Sequence, residues 1–527
     1  MESVGQWLTT AIETVNSWVW SPALVGLCLL AGLYFSFRTR FVQVRRFGEM
    51  VRLLFGGRGE NGSTGRKGQK VGISSFQAFA MALSGRVGTG NIVGVATAIG
   101  FGGPGAIVWM WVIAFFGAGS AFVEATLAQI YKEDHNGQFR GGPAYYIEKG
   151  LRSPFLGALF AVLAAVACGI FLPPVQCNGI AISSSRTFGI ETWVVGLIVA
   201  ALIGLVIIGG VKRIANVAKI VAPVMAIVYI ILSLVVLIVH YDVVPDVFMQ
   251  MLRGAVGINE VTGALLGTTI AWGVKRGIYS NEAGQGTGAI VAAAAKVSHP
   301  VKQGFVQAFS VYVDTLLVCS ATAMMILACK TYNIVDSVTH TADGTVVTYL
   351  QQNPGAHEGE PVVFYTTDAI STVVGPQAGD MIISIALFFF AFTSILAYYY
   401  YAETNLVYLF NRWRRRIYKK HPERLGELEY QDAHFGDDRG EKIVIWILRV
   451  DVICAVFFGS LVGTGIVWTF GDIAVGVMAW LNIVAILILS PKALRTLRDY
   501  ERQKKEGKEP VFNPEKLKIE GVEYWKS

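Results

Sequence analysis

The chain has 527 residues, of which 53% are hydrophobic and only 15% charged, with a formal net charge of +7. With a mean hydropathy of +0.51, such a chain is excluded from the water-soluble enzymes and reads as an all-α polytopic membrane protein embedded in a lipid bilayer. The positive charge sits in loops and calls for no nucleic acid, and the six cysteines form no Cys-x-x-Cys pair, which argues against a disulfide framework or a zinc site.

No secretory signal peptide is expected, because Met1–Thr10 carries no positive residue ahead of an apolar core. Val4, Trp7, Leu8, Ile12, Val15 and Trp18 recur at helical spacing and predict a short amphipathic helix on the membrane surface. A first span follows at about 22–37. Ten more are predicted at about 73–99, 105–131, 155–185, 192–211, 215–239, 261–295, 303–329, 380–410, 443–470 and 472–490, giving about eleven transmembrane helices.

Loop charge orients them. Arg38–Lys70 and Arg412–Lys442 each hold nine Lys/Arg, and the chain after Pro491 holds ten. The long loop 331–380 has none, but carries Asp336, Asp343, Glu358, Glu360, Asp368 and Asp380. The positive-inside rule places the basic loops in the cytoplasm. The N-terminus is then outside and the C-terminus cytoplasmic, as befits a multi-pass protein of a prokaryotic plasma membrane. Lys212 and Arg213 fall inside and Tyr241–Glu260 outside, so charge and span count agree.

The second span is organised around Ser84–Gly105. Val87, Gly88, Thr89, Gly90 and Asn91 interrupt an apolar run that also carries Gly85, Arg86 and Gly94. Glycine costs about 1 kcal/mol in a helix interior, and irregular backbone at membrane depth survives only where protein or a hydrated cavity covers it. A broken helix of this kind is the best sequence pointer to a transporter's binding site. Close helix packing is the plainer use of the same glycines. The pattern Gly88-Thr89-Gly90-Asn91-Ile92-Val93 returns as Gly286-Thr287-Gly288-Ala289-Ile290-Val291, five spans later and therefore flipped across the membrane. An inverted five-plus-five repeat has this form, with 73–240 as the first repeat and 241–490 as the second, which includes the outer loop 331–380. Residues 1–72 precede the repeats, and 491–527 form a basic cytoplasmic tail.

The second copy of the repeat is interrupted just upstream, at Gly273, Gly277 and the polar run Tyr279–Gln285. The intramembrane ionisable residues Arg86, Glu124, Lys275, Arg276, Glu282 and Asp314 would each cost about 2.5–3.5 kcal/mol facing lipid, so they are expected to pair inside. Arg276 with Glu282 is the expected gate or brace.

Four motifs in order resemble the sodium:alanine (or glycine) symporters, the alanine/glycine:cation symporter family. They are VGTGNIVGVATAI with GGPGAIVWMWV, Glu124–Tyr131 with GGPAYYI, RGIYSNEAGQG at Arg276–Gly286, and VDTLLVCSAT at Val313–Thr322. The resemblance implies a leucine-transporter-like fold with one extra N-terminal span, and Na⁺-driven uptake of a small neutral amino acid. Such a zwitterion needs donors for its carboxylate and acceptors for its amine, because unpaired charge is costly in hydrocarbon. The half-helix starting near Thr89, Gly90 and Asn91 offers amides and a positive dipole end. Carbonyls of the break at Trp272–Gly277, Gly273 included, and the side chain of Gln176 can take the amine. Interhelical hydrogen bonding is the alternative use of Gln176 and Asn178. On the fold analogy, Na⁺ is held by carbonyls of Ser84, Val87 and Phe390 and hydroxyls of Thr393 and Ser394, with Ser394 also beside the substrate. Hydroxyls on a helix otherwise bond their own backbone. In the ninth span Ala397 and Tyr398 stand where the family has Gly and Trp, at a position that is pocket wall in the family. Proton coupling, or a larger polar substrate such as glutamine or serine, remains open on the same fold. An ion channel would need repeated filter sequences, and an intramembrane enzyme would need a His-Glu-x-x-His, Gly-x-Ser-x-Gly or phosphate-loop motif; none of these is present.

Overall fold

The computed structural model describes residues 2–55, 72–135, 137–258, 266–341, 344–356, 362–420 and 439–526. In chain order its helices are α1 (Glu2–Val19), α2 (Pro22–Arg38), α3 (Val42–Arg45), α4 (Phe47–Phe55), α5 (Ser75–Arg86), α6 (Val95–Gly102), α7 (Gly105–Ile130), α8 (Pro143–Gly150), α9 (Pro154–Val166), α10 (Leu172–Phe188), α11 (Thr192–Ile207), α12 (Gly210–Val239) and α13 (Val244–Ala255). They continue as α14 (Leu266–Asn281), α15 (Thr287–Ala294), α16 (Pro300–Val311), α17 (Ser320–Cys329), α18 (Tyr365–Val374), α19 (Pro376–Lys420), α20 (Arg439–Gly459) and α21 (Thr464–Lys505). Two antiparallel hairpins, β1 (Glu133–His135) with β2 (Gln138–Arg140) and β3 (Ile334–Thr341) with β4 (Gly344–Gln351), complete it.

Among the described residues, seven helices are long and apolar enough to cross a membrane: Thr10–Arg38, Gly105–Ile130, Pro154–Phe188, Gly210–Val239, Pro300–Cys329, Pro376–Ile417 and Thr464–Lys505. The other expected crossings are broken (α5 with α6, and α14 with α15), short (α11) or, in the 21-residue α20, charged at Lys442, Arg449 and Asp451. Part of both large basic loops, the start of the seventh span, and His357, Glu358 and Glu360 lie outside the described residues.

Both interruptions have local causes. A capping box opens α5: the Ser74 hydroxyl accepts from Gln77 N and the Gln77 carboxamide accepts from Ser74 N. The helix stops at Arg86 because Val87 is extended (φ −80°, ψ 94°), and it resumes through a π turn at Gly90–Gly94. The second break spans Glu282–Gly286, where Glu282, Gly284 and Gly286 take φ of +56°, +83° and +94°. Glycine tolerates these left-handed angles, and Glu282 is the exception among them. A Cβ on Gly90 would lie 3.2 Å from the Tyr279 ring, and one on Gly288 would lie 2.5 Å from Arg86 Nη2. The resuming half of each helix thus abuts the end of the other's first half. The two broken helices run antiparallel, as an inverted repeat requires.

Two expectations are corrected. The second break lies at 282–286, overlapping the expected polar run Tyr279–Gln285, and not at Trp272–Gly277. Trp272 and Gly273 sit in continuous helix α14, where Trp272 stacks on Phe101. The tenth and eleventh spans divide at residues 460–463, not near 471, because Gly463 starts α21 in an extended conformation and Asn178 donates to the carbonyls of Gly459 and Val462. No charged residue marks this turn, and Leu461 and Val462 keep it apolar on average; its signal is the cluster Gly459, Ser460, Gly463, Thr464 and Gly465. Residues 491–505 continue α21, and the rest of the tail folds back over the chain. Lys302 pairs with Glu509 at 2.6 Å, Trp525 donates to Gln129 O, and Lys132 sits 4.2–5.0 Å from the rings of Phe139, Tyr524 and Trp525. The loop after α17 is ordered by β3, β4 and α18.

Small residues let the helices approach, as is usual where lipid gives no hydrophobic drive between helices. A Cβ on Gly273 would fall 2.4 Å from the Ala106 carbonyl and 2.5 Å from Trp109 Cβ. Gly273→Ala is therefore expected to push α14 off α7 and to destabilise the fold by about 1–3 kcal/mol. Thermal unfolding in detergent checks this; an unchanged midpoint would mean that the two helices are not so closely packed.

Candidate functional site

The site is built where the first break meets α10 and α19. Freed backbone groups here must find partners inside the protein. Gly88 N donates to Asn91 Oδ1 at 2.9 Å and Thr89 N to Gln176 Oε1 at 3.0 Å. Gln176 can reach because α10 follows a π turn at Ala167–Phe171 and opens with Pro173 and Pro174 near its N-terminus. Glycine is required at 88, since a Cβ would stand 2.4 Å from Ser394 Oγ and 2.7 Å from Gln176 Oε1.

Across the break, the Ser394 hydroxyl lies 2.8 Å from Ser84 O, 3.2 Å from Val87 O and 3.0 Å from Phe390 O. One hydroxyl proton can serve one of these carbonyls. The cluster is therefore rich in oxygen and short of positive charge, which is the chemistry of a hard cation site. Thr393 turns its hydroxyl to its own helix, 3.0 Å from both Phe389 O and Phe390 O, so it borders the cluster through the shared Phe390 carbonyl. The sequence-derived set Ser84, Val87, Phe390 and Ser394 is thus brought together.

On the other side of the break, Asn91 is fully engaged. Its Nδ2 donates to Asp314 Oδ1 at 2.7 Å, and its carbonyl accepts from Thr322. Asp314 also accepts from Ser280 and Thr315, each at 2.8 Å. The Thr89 and Tyr279 hydroxyls are buried without a hydrogen-bond partner, and Gly90 lies against the Tyr279 ring. Tyr398 is buried one turn from Ser394 on α19, its ring 6.0 Å from that of Tyr401. Thr89, Gly90, Gln176 and Ser394 therefore sit around one break, and Tyr398 lies one turn along α19, among Tyr279, Tyr401 and Glu282. Gly273 is not at the break, being packed on α7.

The expected Arg276–Glu282 pair is not formed. Arg276 instead makes a bidentate pair with Asp472 on α21, at 2.8 and 3.1 Å, and Lys275 joins the same carboxylate at 2.6 Å. Arg276 lies on the continuous helix α14, one turn before the break, and its guanidinium is stacked among Trp272, Tyr279 and Trp468, 4.9–5.6 Å from their centroids. Glu282 lies beyond the end of that helix and meets Tyr401 at 3.4 Å. Sequence reasoning missed Asp472 because it fell on the misplaced span boundary. A lone carboxylate inside the apolar run from Ile466 to Leu489 was the available signal. Glu124 accepts from Asn482 on α21 at 3.0 Å.

The model of the sodium:alanine symporter family matches residues 5–421 and 432–514. The chain is 47% identical to the "Putative sodium/proton-dependent alanine carrier protein YrbD" of Bacillus subtilis (strain 168), over 98% of this chain and 97% of that protein. It is 42% identical to the sodium/proton-dependent alanine carrier protein of Bacillus sp. (strain PS3), over 88% and 95% of the two chains. To the "Probable sodium/glutamine symporter GlnT" of Bacillus subtilis it is 40% identical, over 99% and 96%. The chain belongs to the sodium:alanine symporter family, as a multi-pass membrane transporter and not an enzyme.

Proposed function

We propose that the protein imports a small neutral amino acid of the alanine and glycine class together with Na⁺, by alternating access, across a prokaryotic plasma membrane that it crosses eleven times with its N-terminus outside. The observation that carries this reading is the convergence of Ser84 O, Val87 O and Phe390 O on one hydroxyl, Ser394, beside an interrupted helix. Na⁺ set among these oxygens would neutralise the helix break. The amino acid would lie alongside, its carboxylate taking the place of the Gln176 carboxamide on Thr89 N and reaching Gly90 N, since Asn91 N is bonded to Gly88 O, and its remaining polar groups toward the Thr89 and Tyr279 hydroxyls. The names of the relatives agree on sodium and an amino acid, and divide over which amino acid and over protons.

Removing one ligand from the cluster tests the coupling. Ser394→Ala is expected to raise the Na⁺ concentration for half-maximal uptake about tenfold, equivalent to about 1.4 kcal/mol, with uptake recovering at high Na⁺. Transport into proteoliposomes at graded Na⁺ reads this directly. An unaltered Na⁺ dependence, with normal amounts of the variant in the membrane, rejects the assignment.

Range of substrate is a second measurement. Tyr398 gives the site a smaller and more polar wall than a Trp would, and a methylene in such a pocket discriminates by only about 1–3 kcal/mol. Serine or glutamine is therefore expected to compete measurably with alanine, and Tyr398→Trp to narrow the range back toward alanine and glycine. Identical inhibitor rankings in parent and variant would show that Tyr398 does not line the site.

A further inference from the structure

The second break is walled by buried polar atoms that have no hydrogen-bond partner. Glu282 Oε1, Glu124 Oε1, Thr287 Oγ1 and two nitrogens of Arg86, Nε and Nη2, are all unsatisfied. The four residues are at most 2% exposed. They come from three elements: Arg86 from α5, Glu124 from α7, and Glu282 and Thr287 from the break and the start of α15. Arg86 lies against that start, with Nη1 on Ser310 and Gln307. Glu282 receives only loose contacts, from the Tyr401 hydroxyl at 3.4 Å and from the Thr287 hydroxyl, while Asn482 bridges Glu124 Oε2 to Gly284 O and the Gly284 backbone faces Glu124. No ion pair within 4.0 Å joins Arg86 to either carboxylate among the described residues, although all three are within electrostatic range of one another.

With both carboxylates ionised, Glu282, Glu124 and Arg86 carry a net charge of −1, and Asp314, which faces Glu282 and shares Arg86, adds a further negative charge. Left uncompensated at this depth, that charge would be expensive. A metal ion is a poor fit, because Arg86 already places a full positive charge in the chamber and no cluster of carbonyls converges there as it does at Ser394. A proton adds no volume and needs one oxygen, and orphaned Oε1 atoms are available on both Glu282 and Glu124. Tyr401 stands seven residues beyond Ser394 on α19, about 10 Å along the helix, toward Arg412 and the basic end. The chamber is therefore distinct from the Ser394 cluster.

We propose that this chamber is a proton site: Glu282, with Glu124 as its partner, takes a proton from water to form one carboxyl O–H, and returns it to water on the side of the basic loops when the second break moves. The inference deepens the symport reading and rests on it. The other groups facing Glu282 are Asp314 from the π turn at Tyr312–Cys319, Cys168 from the π turn before α10, Tyr279 from α14, and Tyr398 and Tyr401 from α19. Asp314 holds its own three donors and Arg86 is the nearby cation, so the orphaned oxygens single out the two glutamates.

The test uses the purified full chain in proteoliposomes with a trapped pH indicator and equal Na⁺ on both sides. Adding alanine is expected to shift internal pH. Glu282→Gln is expected to cut that shift at least about tenfold and to flatten the dependence of uptake on pH. Glu124→Gln provides the same reading should the first variant fold poorly. Wild-type protein that takes up alanine with Na⁺ while internal pH stays still, at a rate indifferent to pH, overturns the proton site and leaves the symport reading standing. Wild-type protein that moves no amino acid with Na⁺ overturns both.

Discussion

Backbone groups freed by two helix breaks, in surroundings that water does not reach, set the terms for the rest of this molecule. The first break is satisfied from three directions: by Gln176 on Thr89 N, by Asn91 on Gly88 N, and by Ser394 facing the carbonyls of Ser84 and Val87. Each solution has consequences elsewhere. Once the Asn91 oxygen is committed to Gly88, its amide nitrogen must find an acceptor, and it finds Asp314. Asp314 in turn accepts from Ser280, one residue before the end of α14. A chain of hydrogen bonds thus runs from one break to the foot of the other, and neither helix can shift far without disturbing it.

Close approach is the second constraint, and it explains why particular glycines matter. At 88 a side chain would collide with both Ser394 and Gln176, and at 85 it would collide with the Tyr401 hydroxyl. These two positions let α19 lie directly on the first broken helix. The helices that pack on α7 use the same device at Gly273 and Gly304. Small residues therefore serve two purposes here, packing and exposure of backbone, and only the three-dimensional neighbours of each glycine distinguish them.

That ambiguity marks the limit of what the sequence made legible. Apolar run length was enough to find the seven long membrane-length helices of the described residues, and the glycine-rich repeat marked both broken helices, because breaks need residues that tolerate unusual angles. Gln176 and Ser394 were legible as polar residues in apolar helices. Gly273 was misread, since a packing glycine and a helix-breaking glycine look alike in one dimension. The Arg276–Asp472 pair was not legible because its partners are 196 positions apart and the turn at 460–463 is marked only by small residues, Gly459, Ser460, Gly463, Thr464 and Gly465, and by no charge. The unsatisfied atoms around Glu282 could not have been foreseen, because satisfaction is a property of neighbours.

Helix α19 touches both breaks, with Ser394 at the carbonyls of the first and Tyr401 at Glu282 in the second. The two contacts are two turns apart on one continuous helix, so they move together unless α19 itself bends. For a symporter of one Na⁺, a tenfold gradient gives about 1.4 kcal/mol and a potential of about −100 mV adds about 2.3 kcal/mol. The sum, about 3.7 kcal/mol, is the net worth of only three or four ordinary hydrogen bonds at about 1 kcal/mol each. A transport cycle driven by so little can exchange a few contacts at a time and cannot melt a core. The architecture suits that limit: a handful of shared hydroxyls and carboxylates at the breaks can change partners while the close-packed helices around them stay as they are.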